Sequence, residues 1–281
     1  MRRDGQLFRH ALKTPIACLA SLAMLAPAAS FAQGDLLIAP TRLVLDGRRG
    51  GEVILSNMGS EEETYRVSLE LRRMDENGNL EIVQQDDANA TEQAALAMIR
   101  YAPRRVTLPP AQPQSIRISA RPGAELPDGE YRVHMSFAAL PRIRPVSDVV
   151  PGDKTGIAIN LIPIYGIVMP IIIRKGELQV TAALANPRLD HGPNGAEFAV
   201  EITRMGTASA YGDLLVFPRG GNDPVFVARG IGVYPEIGAR HAAFAISPEQ
   251  EAALKGPVRV EFREAVESGG ALIAAVDAAL G

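Results

Sequence analysis

Four histidines and a single cysteine are the most chemically versatile side chains in this 281-residue sequence, and their spacing assembles no reaction centre. His10, His134, His191 and His241 stand in no metal-ligand spacing. His134 shares the polar face of an alternating segment with Arg132, which predicts a surface position. Asp190-His191-Gly192-Pro193 reads as a turn, and His241 follows Arg240 at a strand start with no acidic neighbour in sequence. Asp75, Asn77 and Asn79 superficially suggest a calcium loop. Such a loop needs Gly at its sixth position and Glu at its twelfth, where this chain has Leu80 and Asp86, so a hairpin turn at Asn77-Gly78 is the better reading. No Gly-x-Ser-x-Gly elbow, phosphate loop, dinucleotide fingerprint or His-Glu-x-x-His helix occurs. The chain is therefore read as a non-enzyme, with no catalytic residue, metal or cofactor assigned.

What remains is the chemistry of apolar side chains and unpaired backbone. From Gly156 to Ile173 no charged residue occurs, and eight of these eighteen residues are isoleucine. That length touches the lower limit of a membrane helix. Pro163 and Pro170 would break such a helix, Asn160 would be costly in lipid, and β-branched residues favour strand. Ile157, Ile159 and Leu161 alternate with Ala158 and Asn160 at strand period. A strand is expected here. Pro163 suits an edge or a bulge, not a sheet centre.

The elements around it repeat that strand style. Leu36 to Leu45 is extended, and Pro40 confines it to an edge or to a switch between sheets. Thr64 to Arg73 sets Tyr65, Val67, Leu69 and Leu71 against Arg66, Ser68, Glu70 and Arg72, and Glu130 to Ala139 sets Tyr131, Val133, Met135 and Phe137 on a core face. Asp86 to Ala94 is polar and reads as loop, containing the sequon pattern Asn89-Ala90-Thr91. Leu96 to Tyr101, Arg105 to Leu108 and Ser115 to Ser119 read as short strands. About seven strands precede Arg174 at the spacing of an immunoglobulin-like sandwich. Arg174-Lys175-Gly176-Glu177 marks a composition change. Seven further candidate strands follow, with one helical turn near Ser247 to Leu254 and a terminal hairpin at Ser268-Gly269-Gly270. The segment 271–280 is a strand candidate whose alanines also permit helix. The expected fold is all-β, with two immunoglobulin-like sandwich domains over 33–174 and 175–281.

Residues 1–32 read as a cleaved signal peptide: Arg2, Arg3, Arg9 and Lys13 precede an apolar run from Ala17 to Pro27, and Ser30-Phe31-Ala32 ends in small residues. Its loss takes the net charge from −3 to −6 and removes Cys18, the sole thiol. The exported chain then has no disulfide and no cysteine chemistry. An acidic balance without a Lys/Arg-rich run excludes nucleic acid as a partner. Absent Trp and 5% aromatics argue against a sugar-stacking surface.

Four stretches carry a family resemblance. They are Pro40-Thr41-Arg42 at the end of the first strand and the strand ending at Asn57. The third runs from Ile99 to Pro110 into Gln114-Ser115-Ile116-Arg117-Ile118, and the fourth is Leu126-Pro127-Asp128-Gly129-Glu130-Tyr131-Arg132. Over about Leu36 to Arg174 the sequence resembles periplasmic pilus-assembly chaperones of the PapD type, as a divergent branch. The resemblance implies a PapD-like seven-stranded first domain, a periplasmic location, and pilus or fimbrial subunits and an outer-membrane usher as partners. It implies that the last strand of the first domain is lent to a subunit's open groove, making Ile157, Ile159 and Leu161 the donor residues. It also implies an Arg–Lys pair that anchors the subunit's C-terminal carboxylate. Arg42 stands where the Arg belongs. The Lys is absent from Ile164-Tyr165-Gly166-Ile167, which leaves Tyr165 as a neutral donor, or Arg100, Arg104 or Arg105 as charge from another strand. An exported two-sandwich structural or adhesive protein, with the isoleucines as ordinary core, is the alternative.

Overall fold

The computed structural model describes residues 36–141, 165–193 and 195–281. The leader with Cys18, and the donor candidates Ile157, Ile159 and Leu161, lie outside the described residues. Everything described belongs to one compact unit. The all-β expectation holds, with two immunoglobulin-like sandwiches following one another along the chain.

The first sandwich opens with β1 (Leu36–Ala39) and β2 (Leu43–Leu45), followed by β3 (Gly51–Asn57), β4 (Glu63–Met74) and β5 (Leu80–Val83). Helix α1 (Ala90–Met98) leads to β6 (Ile99–Ala102), β7 (Arg105–Leu108), β8 (Gln114–Ala120), β9 (Gly129–Ala139) and β10 (Gly166–Lys175). One sheet has the order β1-β3-β8-β6. The other has the order β2-β10-β9-β4-β5, with β7 also paired to β4. Pro40 sits at a switch between the sheets: β1 runs antiparallel to β3, whereas β2 runs parallel to β10. The break at Pro40 divides the first expected strand into β1 and β2. The alternation in β4 and β9 appears as expected, with Val133, Met135 and Phe137 fully buried.

The stretch expected as loop and strand between Asp86 and Tyr101 is largely helix. Asn89 is its N-cap: its side chain accepts from the Glu92 backbone N–H at 2.9 Å, and the Glu92 carboxylate accepts from the Asn89 N–H at 2.9 Å. This reciprocal pair satisfies two of the otherwise orphaned donors at the helix start. The apolar side chains Ala95 and Met98 then close onto the first core.

The second sandwich comprises β11 (Val180–Gly192), β12 (Gly195–Gly206), β13 (Ala210–Pro218), β14 (Phe226–Val233), β15 (Ala239–Ala245), α2 (Pro248–Leu254), β16 (Gly256–Arg263) and β17 (Leu272–Leu280). Its sheets have the orders β11-β12-β15 and β14-β13-β16-β17. The expected helical turn is α2, capped by Ser247. The alanine-rich terminal segment is strand. Its neighbour β16 supplies a full antiparallel ladder from Gly256↔Leu280 to Arg263↔Leu272. Residues 190–192, expected as turn, continue β11 past a bulge between Ala185 and Arg188. Phe198, Ile202, Leu214, Val216, Val260 and Phe262 form a fully buried core.

The isoleucine-rich stretch is strand from Gly166 onward, not membrane helix. Among the described residues no helix is long and apolar enough to cross a membrane. Met169, Ile171 and Ile173 face the first core. Ile172 points the opposite way and is equally buried, against Met74 and Tyr234 of the second sandwich. A strand covered on both faces needs apolar residues at consecutive positions, which explains the unbroken run Ile171-Ile172-Ile173.

Candidate functional site

The three-residue passage between β1 and β2 sets Arg42 beside β10 and beneath the second sandwich. Its guanidinium carbon lies 4.2 Å from the centre of the Tyr211 ring. One terminal nitrogen donates to the Ser209 hydroxyl at 3.5 Å, whereas the Nε–H is buried without a partner among the described residues. Burial pulls the guanidinium pKa below its ordinary value. Tyr234 and Glu130 act in the opposite direction, and Arg174 adds to the lowering.

Glu130, at the start of β9, closes the other side. Its Oε2 accepts from the Ser209 backbone N–H at 3.1 Å, from the Ser209 hydroxyl at 2.9 Å and from Arg174 Nε at 3.2 Å. Its Oε1 is buried and unpartnered. The cleft between the sandwiches thus holds two basic side chains, one carboxylate, one hydroxyl and two tyrosine rings. A part-exposed guanidinium is suited to a carboxylate or another anion, because charge-assisted hydrogen bonds strengthen where water is excluded. Among the described residues no three His, Cys, Asp or Glu side chains converge as metal ligands.

Tyr165 does not join Arg42. The parallel register Leu43↔Ile171 sets Arg42 level with Pro170, five residues beyond Tyr165 and roughly 17 Å along the strand. The Tyr165 ring is exposed, and its carbonyl accepts from the Ala139 N–H at 3.0 Å. Arg100 is occupied with the end of α1, donating to the carbonyls of Ala97 and Ile99. Arg104 lies over Tyr101, and Arg105 is exposed opposite Arg66. The second cation at the cleft is instead Arg174, at the far end of the same strand as Tyr165. The sequence reading used that residue only to mark a boundary.

His134 corrects the expectation of a surface side chain. It is fully buried, and neither ring nitrogen has a hydrogen-bond partner. It lies in register between Glu70 of β4 and Pro170 of β10. Burial lowers its pKa to about 3, helped by the positive charges of Arg132 and Arg72. Alternation correctly assigned it to the face opposite the first core, but that face is covered too. The other two histidines in the described region are peripheral: His191 lies 3.1 Å from Glu251, and His241 is exposed.

Upstream of the cleft, β10 has an open side. β9 pairs with it from Gly166 to Lys175, but β2 pairs only with Ile171–Ile173. Among the described residues, no strand pairs with the other side of Gly166 to Pro170. Ile167 in this part is 38% exposed, against 0% for Ile171. Glu130, Ser209, Tyr211 and Tyr234 were not foreseen as site residues. No local motif marks them, since they meet only when the two sandwiches pack.

No family model and no curated protein sequence matches the chain. Solved structures are similar at low identity. One is of the CsuC–CsuE chaperone–tip adhesion subunit complex of Acinetobacter baumannii: 11% identical, TM-score 0.46, covering 88% of this chain and 99% of the other. The E. coli chaperone DraB is 12% identical with a TM-score of 0.43, covering 88% and 96%. The CupB2 chaperone of Pseudomonas aeruginosa is 14% identical with a TM-score of 0.43, covering 87% and 100%.

Proposed function

We propose that this chain is a non-enzymatic periplasmic chaperone that captures pilus or fimbrial subunits by strand donation and passes them to an outer-membrane usher. On this reading residues 1–32 direct export and are removed, leaving working domains over 33–174 and 175–281. The observation that carries it is the juxtaposition of two features on one strand. Among the described residues no strand pairs with the other side of Gly166 to Pro170, and level with Pro170, where that side ends, lies the part-exposed guanidinium of Arg42. The first can add a strand from a partner, and the second can hold the partner's terminal carboxylate.

Ile157, Ile159 and Leu161 are the proposed donor side chains, on the sequence immediately before that open side. Burying all three in a groove would contribute about 4.5–9 kcal/mol before ordering costs. Each charge-assisted bond from Arg42 would add about 1.5–3 kcal/mol. Arg174 supports Arg42 with a second positive charge, a role for which Tyr165 is too distant.

Co-purification of the exported chain with candidate subunits tests the reading. Ile159→Asp should leave the first sandwich folded and lose the subunit, and Arg42→Ala should weaken capture at unchanged stability. A chain unfolded by Ile159→Asp would mean that the isoleucines are ordinary core, as in a structural or adhesive protein. Unchanged capture by Arg42→Ala would remove Arg42 from the site.

A further inference from the structure

A second set of contacts joins the sandwiches on the far side of Tyr234 from the Arg42 cleft. Arg132, on the outer face of β9, forms a bidentate pair with Glu236: one terminal nitrogen donates to Oε2 at 3.2 Å and the other makes a shorter contact with Oε1. The latter nitrogen also donates to the Arg72 carbonyl at 3.0 Å, and the guanidinium stacks 3.6 Å from the centre of the Tyr234 ring. Glu236 accepts in addition from the Met74 backbone N–H at 2.9 Å. Beside this group Ile172, Met74 and Tyr234 form a buried cluster, with Leu80 and Ile237 packed against it. At the outer margin the His241 N–H donates to the Glu76 carbonyl at 2.6 Å. Gly78 there has φ +84°, and a Cβ on it would meet Arg240 at 2.2 Å, so the hairpin tip approaches as closely as a glycine allows.

Tyr234 is common to both sets. It is 5% exposed, its ring carries Arg132, and its phenol feels the charge of Arg42. Ser209 and Tyr211, which contact Arg42, belong to the same second sandwich. Any rotation that lifts Tyr234 and Glu236 from Arg132 therefore also shifts Ser209 and Tyr211 relative to Arg42. The Glu130–Arg174–Ser209 contacts beside the cleft form one point of attachment, and a single point leaves rotation free. The Arg132 group, with the Ile172–Met74–Tyr234 cluster and the His241–Glu76 hydrogen bond around it, supplies the second.

We propose that Arg132 is a positioning residue: by clamping Tyr234 and Glu236 it fixes the angle between the sandwiches and so keeps Ser209 and Tyr211 on Arg42. A planar, five-donor guanidinium is suited to this, since it fills two carboxylate oxygens, a carbonyl and an aromatic face at once. The proposal rests on the chaperone reading only in taking the Arg42 cleft as the working site, and its geometric content is measured without a subunit.

The test is a distance distribution between spin labels at Arg117→Cys, on the exposed face of β8, and Glu249→Cys, in α2, in the full chain carrying Cys18→Ser. It is paired with the Arg42 Nε–H resonance, which the Tyr211 ring current displaces. The unaltered interface should give one narrow distribution. Arg132→Met should at least double its width and return the Arg42 resonance towards its free position, while core amides of both sandwiches stay protected from exchange. Arg132→Lys, which keeps the charge and loses the fork, should fall between. Should Arg132→Met fail to fold, Glu236→Gln provides the same comparison with a milder change and should broaden the distribution in the same direction. An unchanged width in the folded variants overturns the proposal, as does a broadened distribution with the Arg42 resonance unmoved. Arg42→Ala should leave the width unchanged, so a loss or retention of subunit capture in that variant judges the chaperone reading separately.

Discussion

The two halves of β10 share β9 as a partner and differ in what lies on the other side. Ile171, Ile172 and Ile173 have β2 on one side, β9 on the other, the first core beneath and Tyr234 of the second sandwich above. Gly166 to Pro170 have β9 alone as a pairing partner among the described residues. The first half is a structural staple between sandwiches, and the second has no strand on its other side among the described residues. Isoleucine by itself is neutral between these roles. Which one it serves depends on where β2 begins, at Leu43 opposite Ile171.

The largest test of this contrast is Ile171→Ala, which opens a cavity in the enclosed half and should cost about 2–5 kcal/mol in urea unfolding. A cost below about 1 kcal/mol would mean the staple is not a core element. Next comes pH, which acts through His134, paired across the sheet with Pro170 at the boundary between the halves. Its folded pKa of about 3 lies below the ordinary 6.5, so the folded state binds fewer protons between these values than the unfolded chain. Its contribution is therefore intact at high pH and is lost as pH falls through 6.5 towards 3, at about 2 kcal/mol between pH 7 and pH 5. His134→Phe should flatten that part of the pH–stability curve, and an unaltered slope would assign the acid sensitivity to other groups. The smallest effect is expected in the open half. Ile167→Thr should change stability by no more than about 0.5 kcal/mol, while a subunit that lies along this edge should be captured more weakly. Equal destabilisation by Ile167→Thr and Ile171→Ala would erase the distinction.

Much of the fold follows from local rules that sequence displays directly. The alternation of β4 and β9, the Asn77-Gly78 hairpin, the Pro40 switch and the Ser247 cap all appear where period and turn chemistry set them. Helix α1 was missed although its signal was present: Asn89 and Glu92 have the spacing of a capping box, but the polar run around them read as loop. The site was far less legible. Alternation identifies the apolar face of a strand, and it says nothing about whether the polar face is later covered. Glu130, Arg132 and His134 occupy that second face of β9, where the other sandwich covers Glu130 and Arg132. Their neighbours Ser209, Tyr234 and Glu236 lie 79 to 104 residues away along the chain, beyond the reach of any local pattern. Arg42 is a candidate through family resemblance alone, and its surroundings emerge only from the packing of both halves.

The passage from β1 to β2 also has a mechanical meaning. One short segment is hydrogen-bonded to a different sheet at each end, with Arg42 between the two attachments. The layers of the first sandwich cannot shear past one another without stripping β1 from β3 or β2 from β10. A tug on the leading end of the chain is resisted by β1 in one layer before it reaches Arg42, and β2 anchors the residue in the other. Arg42 is thereby mounted at a fixed point of the scaffold.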